Sequence, residues 1–200
     1  MCRNSIVDKD ALVHPAVQAE SESELDIDTQ SSKTEALMSI LQATLKDPES
    51  KVVIFSQWTS FLNIIQHRLQ EENMNYVRID GTMSAAARDA SISALNNNPN
   101  TRILLASLAV CSVGLNLVAA DTVIMSDSWW APAIEDQAVD RVHRLGQTRN
   151  CTVWRLVMED SIEERVLEIQ GEKRSLVSKA FGEDVKSIEG RIGDIMKLLA

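Results

Sequence analysis

The chain has 200 residues, of which 44% are hydrophobic and 24% charged, with a formal net charge of −9. This composition suits one main domain with a sizeable core, while the absence of a long apolar run or an apolar N-terminal stretch predicts a soluble intracellular protein with no membrane partner. The three cysteines, Cys2, Cys111 and Cys151, are far apart and predict neither a disulfide framework nor a complete metal site.

The N-terminal part of the chain changes character near residue 32. Residues 1–31 have no sustained periodicity and contain ESESELDID, which indicates a disordered or linker leader. From Ser32, apolar residues recur at helical spacing until the KDP sequence at 46–48. An amphipathic helix is therefore predicted to lead into the domain.

Short β-branched runs then alternate with helical patterns. Strands are predicted at 51–56, 76–80, 102–107, 122–126 and from 151 onward. Helices are predicted at 61–69, from a Ser84 cap to about Leu95, and at 133–145. This alternation predicts an α/β fold, a mostly parallel sheet flanked by helices, with ligands at the carboxyl ends of its strands.

A helical extension is predicted to follow the sheet. Asp160 and Glu163 resemble a capping box that begins a long helix. A further amphipathic pattern ends the chain in IMKLLA.

The most informative stretch is QAVDRVHRLGQ, residues 137–147. On a helix, with about 100° per residue, Gln137, Arg141 and Arg144 fall within roughly 60° of one another. Two guanidiniums on one face suit a bound phosphate. The alternative is a solvated face on which Asp140 pairs with one arginine.

Two glycine-containing loops are candidates for ligand contact. Gly114 gives the backbone freedom to approach a ligand, and the Asn116 amide suits a ribose or phosphate. After the second strand, Gly81 and Thr82 offer backbone N–H and hydroxyl donors to a phosphate. An ordinary turn explains either loop equally well at this point.

Motifs for other chemistry are missing from the 200 residues. The sequence contains no G-x-G-x-x-G, G-x-S-x-G or H-E-x-x-H pattern, and no phosphate-cradling G-x-x-x-x-G-K-[ST]. The acidic charge is concentrated in residues 1–50, which hold ten acidic and four basic residues, against nineteen and sixteen in the remainder. Local basic clusters can thus contact phosphates, and a nucleotide site here would supply arginines rather than the main phosphate cradle.

Four motifs, in their order and spacing, carry a resemblance to a known family. They read VVIFSQW, YVRIDG, SVGLNLVAAD and DSWWAPAIEDQAVDRVHRLGQTR. Between about residues 32 and 182, the chain closely resembles the second RecA-like lobe of the SWI/SNF-like DNA-dependent ATPases of helicase superfamily two. The DRVHRLGQ ending is typical of this branch.

The resemblance implies roles for the residues near a nucleotide. Arg141 and Arg144 match the motif VI arginines, which contact the γ-phosphate of ATP held mainly by the other lobe. Gln137 resembles the residue that steadies that cluster, and Gly114 and Asn116 match motif V positions near the nucleotide. The implied cofactor is ATP, with Mg²⁺ held mainly by the first lobe.

The resemblance also implies contacts with double-stranded DNA and with an N-terminal RecA-like lobe. Gln57, Gly81, Thr82 and Ser107 lie in motifs that contact the phosphates of a DNA strand. The family acts in chromatin remodelling and DNA repair, so a nuclear location is expected.

Details of the sequence indicate a subgroup. Val110, Cys111 and Ser112 stand where many relatives have a glycine-rich turn, as in fungal members of the RING-bearing subgroup that includes the helicase-like transcription factor and postreplication-repair translocases. Residues 1–6 resemble the end of a RING finger whose final zinc ligand would be Cys2. One ligand cannot hold zinc.

These patterns divide the chain into three parts, namely a leader at 1–31, the RecA-like lobe at 32–158 and a helical extension at 159–200. Because the phosphate-cradle lobe is missing from the sequence, the chain is expected to be inactive in isolation. The alternative function is a truncated, non-catalytic module that binds DNA or a protein. A small-molecule enzyme is disfavoured because no nucleophile or cofactor motif is present.

Overall fold

A computed structural model describes residues 31–112 and 114–179. The predicted leader before Ser31, the RING-like residues 1–6 and the final amphipathic stretch lie outside the described residues. The strands are β1 (Val52–Ser56), β2 (Tyr76–Ile79), β3 (Ile103–Ser107), β4 (Thr122–Met125) and β5 (Thr152–Arg155). The helices are α1 (Ser32–Thr44), α2 (Thr59–Glu71), α3 (Ala85–Asn97), α4 (Pro132–Val139) and α5, which covers 162–179.

The five strands form one parallel sheet in the order β2-β3-β1-β4-β5. All residues of β1, β3 and β4 are buried, as expected for apolar strands covered by helices on both faces. The register pairs Ser56 with Ser107, so the carboxyl ends of β1 and β3 are level. The predicted parallel α/β fold is confirmed.

Two hydrophobic clusters lie on opposite faces of the sheet. One contains Leu37 and Leu41 of α1 with Leu62 and Ile65 of α2. The other contains Leu95 of α3 with residues of the α4 region. Side chains of one strand alternate between the two clusters, which is why a continuous apolar run is needed in each central strand.

Serine residues cap two of the helices, and the cap at Ser84 is the predicted one. Ser31 and Thr34 form a capping box at α1. The Ser84 hydroxyl accepts a 3.2 Å hydrogen bond from the Ala87 N–H at the start of α3. These caps satisfy backbone donors that have no partner within the helix.

The start of α5 differs from the prediction by one residue. Asp160 has a positive φ of 52°, and the Ser161 hydroxyl, not the Asp160 carboxylate, accepts from the Glu163 N–H at 3.2 Å. Glu163 in turn accepts from the Met158 N–H at 2.9 Å. In the part of the chain that the structure describes, no helix is both long and apolar enough to cross a membrane.

Candidate functional site at the carboxyl edge of the sheet

Asp127 joins the carboxyl ends of β1 and β4. Its carboxylate accepts from the Ser56 hydroxyl at 2.7 Å and from the Gln57 N–H at 3.1 Å. Burial raises the pKa of Asp127, although both hydrogen bonds oppose the shift. Asp127 therefore fixes the backbone from which the Gln57 side chain extends.

A mainly apolar cleft of about 330 Å³ lies beside this junction. Gln57 and Gln137, predicted for different ligands, both line it, and Trp58 beside them is 61% exposed. The remaining lining residues are Leu108, Ala109, Trp129 and Ile134. The structure thus places these two glutamines at one cleft between the β1 loop and α4.

The arginine motif is not one continuous helix, and this corrects the predicted helix at 133–145. Helix α4 ends at Val139, with Asp140 as its C-cap. The Arg141 N–H donates to the Ala138 carbonyl at 3.2 Å, which closes a tighter turn than an α-helix. The Arg141 carbonyl accepts from the Leu117 N–H at 3.0 Å. After Val139 the helix thus gives way to a turn, and the Arg141 carbonyl of this turn bonds to a neighbouring loop.

Arg141 and Arg144 consequently lie on a turn, not on one helical face. Arg141 is half-buried, and its Nε donates to the Cys111 carbonyl at 3.1 Å. Arg144 is exposed, and within the described residues its guanidinium has no hydrogen bond or ion pair. Of the apolar residues of the motif, Ala138 and Val142 are fully buried and Val139 is half-buried. The Arg141 side chain is therefore held in place by a hydrogen bond, whereas the Arg144 side chain is not.

The end of the motif shapes the turn. Leu145 is 100% exposed beside Arg144. Gly146 has a φ of +104°, a conformation that side chains rarely adopt. The Gln147 amide then donates to the carbonyls of Val118 at 3.1 Å and Ala120 at 2.7 Å. Gln147 thereby anchors the tip to the loop before β4.

The loop after β3 is joined to Arg141. Its residues alternate in burial, with Gly114 and Asn116 exposed and Leu115 and Leu117 buried. A Cβ at Gly114 would meet nothing within 4 Å, so space within this chain does not require glycine there. Burial raises the pKa of the neighbouring Cys111 thiol to about 12, which keeps it protonated at neutral pH.

The predicted DNA-contact residues differ in accessibility. Gln57 is half-buried, and Gly81 and Thr82 are exposed. Ser107 is only 3% exposed, and its hydroxyl accepts from the Ala109 N–H at 3.4 Å. Gly81 and Thr82 follow β2, at the edge of the sheet, two strands from β1.

Thr82 does not hold its donors free for a ligand. Its N–H and hydroxyl both donate to Asp80, at 3.0 and 2.6 Å. The Thr82 hydroxyl is the main reason that the pKa of Asp80 is lowered. The donors predicted for a phosphate are therefore engaged within the loop.

Sequence reasoning missed Asp127 and Glu135, the two carboxylates that organise this edge. Glu135 lies in the first turn of α4, and its side chain is 1% exposed. An acidic residue in a first helical turn normally indicates a surface residue favoured by the helix dipole. The nearby WW pair was the available signal, since Trp129 packs against the core while Trp130 is 60% exposed.

No cluster of three or more metal-ligating side chains occurs among residues 31–112 and 114–179. The site at this edge consists instead of amides, hydroxyls and two arginines. Guanidinium donors of this kind suit phosphate oxygens.

A parallel five-stranded sheet flanked by helices defines a RecA-like α/β lobe. The model of the helicase conserved C-terminal domain matches residues 32–146. The chain belongs to this family, as the C-terminal helicase domain of SWI/SNF-like ATPases.

Similar proteins come from plants and fungi. Helicase-like transcription factor CHR27 of Arabidopsis thaliana is 48% identical over 67% of this chain and 13% of its own length. DNA repair protein RAD5A of the same plant is 36% identical over 90% of this chain and 18% of its own. DNA repair protein RAD5 of Gibberella zeae is 41% identical over 87% and 15%. The chain thus spans less than a fifth of these relatives, and its expected fungal origin stays a prediction.

A solved structure supports the same fold. The C-terminal part of the Fun30 ATPase domain superposes with a TM-score of 0.69 at 33% identity, covering 71% of this chain and 46% of that one. The predicted resemblance to the SWI/SNF-like family and to RAD5-type relatives is confirmed.

Proposed function

We propose that the chain is the C-terminal motor lobe of an ATP-dependent translocase of double-stranded DNA. The observation that carries this proposal is the pairing of a fixed Arg141 with an exposed, unpaired Arg144 on the motif VI turn. Family membership supplies the expectation of ATP-dependent, helicase-like activity. The full activity requires a second, N-terminal RecA-like lobe.

The residues at this edge fit part of an ATP site. Arg141, Arg144 and Gln137 would contact the phosphates, while Gly114 and Asn116, exposed on the adjoining loop, would lie near the nucleotide. The main phosphate cradle is not part of this chain's sequence. Mg²⁺ would be held mainly by the other lobe.

Bound ATP supplies the phosphoryl group that is transferred to water. The exposed Arg144 guanidinium would stabilise negative charge on that group, a role worth about 10³ to 10⁵ in rate. Arg141 would keep the turn in place through the Cys111 carbonyl. Because Arg141 is fixed, less conformational entropy is lost when Arg144 becomes ordered as the lobes close.

Contacts with DNA would come from the loops after the strands. Gln57, Gly81, Thr82 and Ser107 are the proposed phosphate contacts. The Gly81 backbone is exposed, whereas Thr82 must exchange its bonds to Asp80 and the buried Ser107 must be uncovered before they contact DNA. Contacts with phosphates carry no sequence information, so sequence-independent binding is expected. If the two lobes bound and released DNA phosphates in turn, ATP hydrolysis would be converted into movement along DNA.

Helix α5 would contact the first lobe. Ile162, Ile169 and Leu176 recur every seven residues and are 68%, 43% and 65% exposed. This apolar stripe is left uncovered by the described residues. We further propose a nuclear location and a role in DNA repair or chromatin remodelling; the relatives named as DNA repair proteins support the repair role.

The test is DNA-stimulated ATP hydrolysis with and without a first lobe. The 200-residue chain alone should show no turnover, whereas a fusion behind the first lobe of a RAD5-type relative should hydrolyse ATP when DNA is added. Turnover by the chain alone would refute the two-lobe mechanism. A fusion that folds and binds DNA but never hydrolyses ATP would favour the alternative, a non-catalytic binding module.

A further inference from the structure

Glu135 is a buried carboxylate shared by three parts of the structure. It accepts from the Trp129 N–H at 2.7 Å, from Gln170 Nε2 of α5 at 2.7 Å and from Arg155 Nε at the end of β5 at 3.2 Å. Burying a carboxylate is costly unless hydrogen bonds and an opposite charge compensate. All three donors are therefore needed to keep Glu135 in place.

Gln170 is the contribution of α5 to this network. It is 2% exposed, and its amide also donates to the Trp129 carbonyl. The side-chain NH₂ of glutamine carries two donors, so its donor capacity is used on one loop residue and one residue of α4. A small shift of α5 would break both bonds.

Further contacts of α5 lie on the same helical face. Lys173 donates to the Trp130 carbonyl at 2.8 Å, and its ammonium lies 5.0 Å from the centre of the Trp130 ring. Arg174 pairs with Asp136 of α4 at 3.0 Å. Positions 170, 173 and 174 share one face of a helix. This face of α5 thus holds both α4 and the loop that contains Trp129 and Trp130, the tryptophan loop.

Helix α4 connects this network with the arginine turn. It is eight residues long, begins beside the tryptophan loop and ends at Val139, two residues before Arg141. The turn is tied on its other side to Cys111 and Leu117. Any displacement of α4 must therefore strain or move the turn.

We infer that Gln170, acting through Glu135 and α4, is a positioning residue for the tryptophan loop and for the turn that carries Arg141 and Arg144. The part of this inference that concerns catalysis rests on the proposed function. Helix α5 is then more than an appended element, because a partner that moves it changes the placement of the arginines.

The first experiment is amide hydrogen exchange on the 200-residue chain. Gln170→Leu should speed exchange in residues 129–144 by about tenfold, since leaving buried partners unsatisfied favours local opening. Amides of β1 and β3 should keep their protection. Glu172→Leu, at an exposed position on the same helix, is the matched control and should change neither region. Unchanged exchange at 129–144, or an equal rise in β1 and β3, would overturn the inference.

A second variant covers the case in which Gln170→Leu does not fold. Gln170→Glu places a second carboxylate against Glu135, and two such groups favour sharing one proton. Protection factors at 129–144, which correct for the slower intrinsic exchange at lower pH, should be low at pH 7.5 and higher near pH 5.5, a change absent from the parent chain. The same protection factors at both pH values would contradict a specific contact between positions 170 and 135.

A third measurement separates this inference from the proposed function. In the two-lobe fusion, Gln170→Leu should lower kcat about tenfold with little change in KM for ATP, because misplaced arginines lose contact mainly in the transition state. Arg144→Ala that leaves hydrolysis intact would refute the proposed function without altering the exchange result. Normal kcat for Gln170→Leu, with Arg144→Ala inactive, would refute the positioning role alone.

Discussion

The Nε of Arg141 donates a hydrogen bond to the carbonyl oxygen of Cys111 at 3.1 Å, which joins the turn after α4 to the loop after β3. This bond gives the two arginines of the motif different roles. Arg141 is a structural member of the site as well as a candidate ligand, whereas the Arg144 guanidinium has no hydrogen-bond or ion-pair partner among the described residues.

Arg141→Lys should therefore destabilise the lobe. The substitution keeps a positive charge but removes the Nε donor, and a hydrogen bond from a charged group contributes about 1.5 to 3 kcal/mol. Urea unfolding of the 200-residue chain should show a loss of this size. Arg144→Lys is the matched control and should leave the unfolding free energy within about 0.5 kcal/mol. Equal losses in both variants would contradict the distinction between the two arginines.

Arg144→Ala should act on turnover. In the two-lobe fusion it should lower kcat by about 10³ or more, the usual contribution of an arginine that stabilises a transferring phosphoryl group. DNA affinity, measured by fluorescence anisotropy at fixed salt, should change little. Arg68→Ala on α2 is the control, since Arg68 pairs only with Glu71 among the described residues. Equal loss of turnover and DNA affinity would show that Arg144 binds DNA instead.

Gln147→Leu should destabilise the lobe without any change in charge. The substitution leaves the carbonyls of Val118 and Ala120 without their side-chain donor, at a cost of about 1 to 3 kcal/mol. Gln70→Leu is the matched control, because that exposed glutamine donates to the Tyr76 hydroxyl at 2.9 Å at the surface. A smaller loss for Gln147→Leu than for the control would refute the anchoring role.

Acid should destabilise the lobe partly through Asp80. The Thr82 hydroxyl bond lowers the pKa of Asp80 below its ordinary value of 3.8, so the native state holds the proton less tightly than the unfolded chain. The stabilisation is complete above pH 3.8 and is lost as the pH falls through the lowered pKa. Thr82→Val should flatten this acid slope, measured as urea midpoints between about pH 5 and pH 2.5.

The contribution of Asp127 to stability should have the opposite pH dependence, so Asp127 serves as an internal control. Burial raises its pKa, so its contribution to stability falls as the pH rises from 3.8 through the raised value. Asp127→Asn should remove that fall while leaving the Asp80 slope intact. If Thr82→Val left the acid slope unchanged, the hydroxyl would not be the main cause of the Asp80 shift.

Binding of DNA by the isolated chain should weaken steeply with salt. Each phosphate contact contributes a slope of about −0.9 in log K against log salt, so four contacts predict roughly a hundredfold loss between about 50 and 200 mM. A duplex of unrelated sequence should give the same curve. A flat salt response would exclude phosphate contacts as the basis of binding.

Most of the fold follows from local patterns. The strands were predicted within one or two residues because each is a short apolar run between polar turns. The predicted helix through Arg141 and Arg144 was wrong. The spacing of Ala138, Val139 and Val142 fits a continuous helix as well as it fits the helix and turn that are observed. The turn that replaces the helix bonds to the Leu117 N–H through the Arg141 carbonyl, a contact between distant residues that no local pattern contains.

The buried carboxylates were missed for a related reason. Asp127 follows a strand and Glu135 begins a helix, two places where acidic residues are usually solvated. Their burial depends on donors from β1, β5 and α5, elements up to about 70 residues away. Sequence position indicated the edge of the sheet at which the site lies, but not the residues that make that edge rigid.

The exposed tip at Leu145 has a thermodynamic consequence. A side chain that is 100% exposed contributes no burial energy to the folding of this lobe. Its full transfer free energy, about 1.5 to 3 kcal/mol for a leucine, would therefore be gained only when another surface buries this side chain. If that surface buried the tip completely only in the closed form, it would shift an open-to-closed equilibrium by about ten- to a hundredfold, so burial of this single side chain is enough to bias which conformation is populated.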